Sequence, residues 1–148
     1  MPPFTLHKQL EAESAFVRDL TFSQLRLQNQ KAVPWLILVP RRSDVIEIYK
    51  LSAYERATLM DEIVQASHAI EELYKPFKIN VAALGNVVPQ IHVHVIGRYE
   101  NDPVWPAPVW GRLPPAPFEP EALEKEKQKV NAFFDSLTEA RQKSGTSS

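Results

Sequence analysis

The sequence predicts an antiparallel α+β domain, and two observations carry that prediction. Segments with strand-like and helix-like patterns follow one another in the order strands, helix, strands, helix. The connections between neighbouring strand-like segments are short, as in hairpins, rather than the long crossovers that a parallel sheet needs. At 148 residues the chain has the length of one domain with a buried core. We expect a single domain over residues 1–140 and a disordered polar tail over residues 141–148.

The first part of the chain predicts a short helix followed by two strands. Residues 6–14 have the composition of a short helix, although their apolar spacing is thin. In the next segment Leu25 and Leu27 alternate with polar residues, and this period of two is typical of a half-buried strand. The apolar run WLILVPRR then predicts a buried strand that Pro40 closes. The polar residues QNQKA between the two strands predict a hairpin connection.

A long helix is predicted over residues 52–74. Ser52 is the expected N-cap, and Glu55 stands at the third helical position, which completes a capping box. Pro76 marks the end of the helix. The residues expected on its apolar side are Tyr54, Ile63, Ile70 and Leu73.

The second half of the chain predicts two more strands and a second helix. Residues 79–86 form a strand that ends in a Gly-Asn turn, and residues 90–99 form the strand that returns from it. Residues 101–120 hold most of the prolines and two tryptophans, so they predict an irregular segment that packs on the domain. A helix follows from residue 121 to about 140, with an apolar face of Leu123, Val130, Phe133, Phe134 and Leu137.

The composition excludes several classes of protein. The net charge is −1, so the chain lacks the basic excess of a general nucleic-acid or membrane-surface binder. It has no cysteine, which excludes disulfides, thiolate metal clusters and a cysteine nucleophile. The N-terminus lacks a signal-peptide pattern, and no apolar run approaches the roughly 20 residues that span a bilayer. We therefore expect a cytoplasmic protein that binds neither membranes nor nucleic acid.

The segment PQIHVHVIGR contains two of the four histidines of the chain. Because successive side chains of a strand face opposite sides, this segment has one apolar face and one face that carries both histidines. The apolar face is formed by Ile91, Val93 and Val95, and the opposite face by Gln90, His92, His94 and Ile96. Side chains two residues apart on one face are about 6.5 to 7 Å apart, so they can meet one ligand together.

Paired imidazoles on one face serve several purposes. They ligate metals, but His7 and His68 have no ligand-like spacing to this pair, so a carboxylate would have to complete a metal site. They act as general acids and bases, or one of them attacks an electrophile as a nucleophile. They also fill a sheet surface with hydrogen bonds to the backbone and no further role. Spacing alone leaves these alternatives open.

The sequence QIHVHVIGR, preceded by LGN, resembles the signature strand of the histidine triad (HIT) superfamily of nucleotide hydrolases and transferases. That signature alternates three histidines with apolar residues and often ends in a small and a basic residue. Aligning Gly97 and Arg98 with this ending places His94 at the third histidine, His92 at the middle one and Gln90 at the first. The run PWLILVPRR and the helix after it resemble the family too. The resemblance implies a HIT-like antiparallel sheet of about five strands with two main helices.

The resemblance also implies a mechanism. The middle histidine of the family is the nucleophile, so His92 would attack the α-phosphate of a nucleotide and form a covalent nucleotidyl-histidine. His94 would contact the phosphate or assist the leaving group. Gln90 would supply an amide hydrogen bond without titrating. If the first histidine transfers a proton, this glutamine weakens catalysis, and if the histidine positions other groups, glutamine can replace it.

Three further residues are nominated as substrate contacts. Asn86 lies where family members contact phosphate or ribose, although a turn asparagine also serves backbone geometry. Asn29 precedes the PWLILVP strand, where the family contacts the nucleoside. Arg98 would neutralise phosphate charge, although a strand-end arginine is commonly ion-paired. Trp105 and Trp110 would cover the sheet or reach across a two-fold homodimer of the kind the family forms.

The resemblance thus predicts an enzyme that hydrolyses or transfers nucleotides, acting on a phosphoanhydride or phosphoramidate such as a dinucleoside polyphosphate. It implies no cofactor and no metal. Two alternatives remain open. One is a nucleotide-binding module with little turnover, which Gln90 motivates, and the other is a metal-binding protein that uses the His-Val-His pair.

Overall fold

This computed structural model describes residues 3–145, which contain three α-helices, five strands and one short 3₁₀ helix at Ile48–Lys50 in the loop after the third strand. In chain order the α-helices and strands are α1 (Lys8–Glu13), β1 (Ser14–Asp19), β2 (Ser23–Gln28), β3 (Trp35–Pro40), α2 (Ala53–Tyr74), β4 (Lys78–Ala82), β5 (Val93–Arg98) and α3 (Pro120–Gly145). The strands form one antiparallel sheet in the order β1-β2-β3-β5-β4. This confirms the predicted α+β fold with its five strands and two main helices. Within residues 3–145, no helix has the length and apolar character needed to cross a bilayer.

The sheet separates two apolar clusters. Strand β3 lies in the middle, with β2 on one side and β5 on the other, and all six of its residues are buried. Helices α2 and α3 cover one face, where the buried set includes Leu36, Leu38, Ile70, Val93, Val95 and Phe134. On the other face lie Leu10, Trp35, Ile37, Val39, Val88, Ile96 and Val109. The apolar face predicted for the histidine strand therefore packs against the helices, and the opposite face receives α1 and the proline-rich segment.

Helix α2 follows the predicted pattern except at one residue. The Ser52 side chain accepts a hydrogen bond from the Glu55 N–H, and the Glu55 side chain accepts one from the Ser52 N–H, which confirms the capping box. Lys75 adopts a left-handed conformation just after the helix, before Pro76. Tyr54 was expected on the apolar side but is 77% exposed. Tyr54 lies nine residues before Ile63, and nine residues are two and a half helical turns. This spacing places Tyr54 on the side of the helix opposite the buried residues.

Several predicted elements differ in the structure. The segment before the QNQKA connection, predicted to be one strand, forms the two strands β1 and β2. The strand predicted over residues 79–86 is β4 and ends at Ala82. The histidine strand was expected to begin at residue 90, but β5 begins at Val93. The pairing of β5 with β3 ends at Leu38 and Val93. Beyond that pair, the Ile91 N–H donates to the carbonyl of Val45 in the loop after β3 and not to a residue of β3. The tail predicted to be disordered from residue 141 is helical as far as Gly145, and Arg141 reaches Asp61 of α2 at 3.4 Å. The rest of that predicted tail, residues 146–148, lies outside the described residues.

Candidate active site

His92 and His94 lie together on the face of the sheet that the helices α2 and α3 leave free. Their ring centroids are 4.9 Å apart, and the rings meet edge to face. Both side chains are buried, with 6% and 7% of their surface exposed. His92 directly precedes β5, and His94 pairs with Ile37 across the sheet. The alternation of the segment therefore brings the two imidazoles into one site, as the sequence predicts.

The hydrogen bond of His92 fixes which ring nitrogen is free. Its Nδ1 lies 2.7 Å from the main-chain carbonyl oxygen of Gln90. A carbonyl oxygen only accepts hydrogen bonds, so Nδ1 must carry the proton and donate it. In the neutral ring, Nε2 then keeps its lone pair. This is the arrangement that a nucleophilic imidazole needs.

His94 has the opposite tautomer. The indole N–H of Trp35 donates to Nδ1 of His94 over 2.9 Å, so this nitrogen accepts and the neutral ring carries its proton on Nε2. Burial, and after it the charge of a protonated His92, lower the pKa of His94 to about 3. His94 is therefore a neutral hydrogen-bond donor at physiological pH. It can stabilise developing negative charge but has no extra proton to release.

Two tryptophans hold the His94 ring in place. Trp35 lies at a centroid distance of 5.6 Å and Trp110 at 5.2 Å, and both meet the imidazole edge to face. The two indoles also contact each other at 5.9 Å. Trp110 thus packs within its own chain, which is one of the two arrangements open from the sequence. Trp105 lies elsewhere, against Phe77.

A cavity of ≈ 320 Å³ opens in front of the two histidines, and we call it the tryptophan cavity. Its lining combines apolar side chains with a few polar ones, as small-molecule sites do. The lining includes Gln9, Leu10, Glu13, Gln28, Trp35, Asn86, His92, His94 and Trp110. Trp35, Gln28 and the α1 residues are not among the site residues predicted from the sequence. The signal that was available is that Trp35 and Ile37 share a face, which becomes the face of His94 once β3 is paired with β5.

Gln90 does not present its side chain to this cavity. Its side-chain oxygen accepts the His7 N–H over 2.9 Å, and its side-chain nitrogen donates to the Thr5 carbonyl over 2.8 Å. Only 7% of the residue is exposed. The amide that was predicted to act in catalysis therefore anchors the segment before α1. The contact of Gln90 with His92 is made by its main-chain carbonyl, which accepts the hydrogen bond from Nδ1.

The three nominated substrate contacts have different surroundings. Asn86 is exposed and lines the tryptophan cavity, and within residues 3–145 no hydrogen bond to its side chain is formed. Asn29 accepts the Phe118 N–H over 2.8 Å and lines an adjoining cavity, whereas its neighbour Gln28 lines both. Arg98 is not brought to the histidines. It is 1% exposed and pairs with Asp102 at 2.8 Å, because its strand-end position places the guanidinium in the interior.

The metal alternative gains no ligand set from the fold. Among residues 3–145, no group of three or more His, Asp or Glu side chains is placed to hold a metal ion. The two imidazoles are instead engaged with Gln90 and Trp35 through Nδ1.

Comparison with known proteins agrees with the observed fold. The sequence matches the family profile described as HIT domain over residues 9–101. A histidine triad protein from Marinobacter aquaeolei VT8 is 40% identical, with a TM-score of 0.88 over 92% of this chain and 99% of its own. A histidine triad protein from Bradyrhizobium japonicum is 39% identical, with a TM-score of 0.85 over 88% and 98%. The diadenosine triphosphate hydrolase of Plasmodium falciparum shares the fold at 16% identity, with a TM-score of 0.61 over 90% and 83%. No curated protein sequence matches the chain.

Proposed function

The chain belongs to the HIT domain family, and from that premise we propose that it hydrolyses or transfers nucleotides through a nucleotide bound covalently to His92. The substrate is a nucleoside phosphoanhydride or phosphoramidate, such as a dinucleoside polyphosphate. One observation carries the proposal above the others. The Nδ1–H of His92 is held by the Gln90 carbonyl, so the lone pair of Nε2 is available beside a cavity of ligand size.

The reaction follows from the two tautomers. The Nε2 lone pair of His92 attacks the α-phosphorus, the bond from phosphorus to the leaving group breaks, and the electron pair departs with that group. Nδ1 keeps its proton and donates it in a hydrogen bond to the Gln90 carbonyl oxygen. This bond stabilises the positive charge of the substituted ring. His94 donates its Nε2–H to a phosphoryl oxygen, where negative charge develops. Water or another acceptor then attacks phosphorus, the Nε2–phosphorus bond breaks and returns its electron pair to Nε2, and the proton of the attacking hydroxyl passes to solvent.

The tryptophan cavity supplies the binding site for the nucleoside and its phosphate. Trp35 and Trp110 offer aromatic surface, and Gln28 offers an amide within the same cavity. Asn86, which is exposed at the turn before the histidines, is the nominated residue best placed to hydrogen-bond a phosphate or ribose oxygen. Asn29 and Arg98 have no direct part in this proposal, because their side chains are engaged elsewhere. The homodimer and the cytoplasmic location remain predictions from the sequence and the family resemblance.

Trapping the covalent intermediate tests the proposal. The protein is incubated with a radiolabelled dinucleoside polyphosphate, quenched in base, and digested for mass spectrometry. We expect a nucleoside monophosphate on His92 and none in His92→Ala. His68→Ala is the matched control, because His68 is exposed on α2 and should leave labelling unchanged.

Two results would contradict the proposal, one its enzymatic activity and the other its covalent mechanism. Nucleotide binding without adduct or product would favour the binding module with little turnover. Full activity of His92→Ala on a substrate that the wild-type protein turns over would exclude the covalent mechanism.

A further inference from the structure

A second cavity meets the tryptophan cavity at His92. It has a volume of ≈ 430 Å³ and lies between the loop after β3 and the turn before the histidines. His92, Leu84 and Gly85 line both cavities. The proposed nucleophile therefore lies where the two cavities meet. The proposed function assigns a ligand only to the tryptophan cavity.

We propose that this second cavity is a subsite for the leaving group, and that it selects leaving groups with an aromatic or apolar body over bare phosphate. The proposal rests on the proposed function, because it takes His92 as the nucleophile. In a displacement at phosphorus, the bond that breaks lies opposite the attacking nitrogen, while the nucleoside is attached through a different oxygen. The nucleoside and the leaving group therefore extend in different directions from phosphorus. Two cavities that meet at His92 provide one space for each.

The loop that forms the outer wall is held against the histidines. The Val45 carbonyl accepts the Ile91 N–H over 3.2 Å, which joins the loop to the residue beside His92. Val45 and Leu51 are buried and anchor the two ends of the loop. Arg42 reaches Glu55 in the first turn of α2 at 2.6 Å. The wall is therefore tied to the sheet and to α2 on both sides.

Between these anchors the loop exposes large apolar side chains. Ile46 is 57% exposed, Ile48 41% and Tyr49 71%, and all three line the second cavity. From the opposite side Leu84 adds another exposed apolar side chain. Clustered exposed apolar surface marks an interaction site, and loops on a rigid scaffold commonly carry binding residues. Tyr49 offers an aromatic face, on which a planar ring can pack.

The charges of the second cavity favour an apolar occupant with a small charged part. Arg56 and Glu47 both line it, so their formal charges cancel. Arg56 also donates to the Leu51 carbonyl over 2.6 Å, which fixes its guanidinium at the helix end of the cavity. A wall with one cation and one anion gives little advantage to a bare phosphate dianion. It leaves the apolar side chains to decide which leaving group is preferred.

The chemical step is unchanged by this subsite. The Nε2–phosphorus bond forms, the bond from phosphorus to the leaving-group oxygen breaks, and that oxygen takes the electron pair. The aromatic body of the leaving group lies against Tyr49 and Ile48 as the bond breaks. Binding energy from that contact then raises kcat/KM for such substrates.

Two substrates with the same nucleoside separate the contributions. One is a nucleoside 5′-(1-naphthyl) phosphodiester, whose leaving group is aromatic, and the other is the nucleoside 5′-diphosphate, whose leaving group is phosphate. We expect Tyr49→Ala to lower kcat/KM for the naphthyl ester about 5- to 10-fold, as the loss of one aromatic contact predicts, and to change that for the diphosphate less than about twofold. Tyr54→Ala is the matched control, because Tyr54 is similarly exposed, at 77%, but does not line the second cavity. It should change neither value.

The outcomes distinguish this proposal from the proposed function. If Tyr49→Ala affects both substrates equally, or neither, or if the wild-type protein does not cleave the naphthyl ester, the leaving-group subsite is wrong. If His92 still becomes labelled from a dinucleoside polyphosphate in those cases, the proposed function stands. If His92 is never labelled by any substrate, the proposed function fails and the subsite with it.

Discussion

Replacing Gln90 by histidine would give the residue that the resemblance to the HIT signature predicts at this position, yet we expect this change to impair the protein. A mechanism in which Gln90 merely lacks a titrating ring predicts faster turnover for Gln90→His. The structure predicts otherwise, because the side chain binds the backbone of Thr5 and His7 and does not line the tryptophan cavity. Its oxygen and nitrogen act as one acceptor and one donor a short distance apart, as a peptide group does. An imidazole cannot present both groups in that geometry.

The magnitude follows from the groups left without partners. Gln90→His keeps at most one of the two hydrogen bonds, so the Thr5 carbonyl or the His7 N–H loses its partner in a site where Gln90 is 7% exposed. An unsatisfied buried backbone group costs about 1–3 kcal/mol. We therefore expect the free energy of unfolding to fall by that amount in urea denaturation at neutral pH.

The same change should raise KM more than it lowers kcat. The segment that Gln90 anchors leads into α1, whose Leu10 and Glu13 line the tryptophan cavity. The Gln90 carbonyl that holds His92 belongs to the backbone and is kept in the variant. Gln90→Glu is the informative control. It retains an oxygen that accepts the His7 N–H, but it replaces the donor to the Thr5 carbonyl by a second acceptor. An increase in kcat for Gln90→His with unchanged stability would refute this account of Gln90.

The remaining predictions concern the neutral His94 and the buried ion pair. Trp35→Phe removes the donor that holds the His94 tautomer, so the rate of His92 labelling should fall about 5- to 10-fold, with the second tautomer visible by ¹⁵N NMR. Because the pKa of His94 is about 3 in the folded chain and 6.5 otherwise, the unfolded state binds the proton first. Stability should therefore fall as the pH drops from 6.5 towards 3, and less steeply in His94→Gln, as urea titrations at several pH values would reveal. Asp102→Asn leaves the Arg98 charge buried without its partner and should cost about 3–5 kcal/mol of unfolding free energy. Labelling of His92 per folded molecule should not change. A loss of labelling without a matching loss of stability would show that Arg98 contributes to the active site.

Local sequence patterns predicted much of the fold because they depend on neighbours along the chain. The capping box at Ser52 and the alternation around His92 involve residues a few positions apart, and both are present in the structure. Errors arose where a distant partner decides. The strand begins at Val93 and not at residue 90 because the Ile91 N–H bonds a loop carbonyl at Val45. Residues 141–145 are helical where a disordered tail was predicted, and Arg141 reaches Asp61 across the helix pair.

The candidate site divides in the same way. The sequence by itself placed His92 and His94 on one face, because a strand alternates its side chains whatever surrounds it. Only the tertiary structure decided what each group can do. Trp35 meets His94 through strand pairing across 59 residues of sequence, and Gln90 meets Thr5 across 85. Nδ1 of His94 accepts a hydrogen bond because strand pairing places the Trp35 indole opposite it, and no local pattern specifies that pairing. The partner of His92, in contrast, is the Gln90 carbonyl only two residues away.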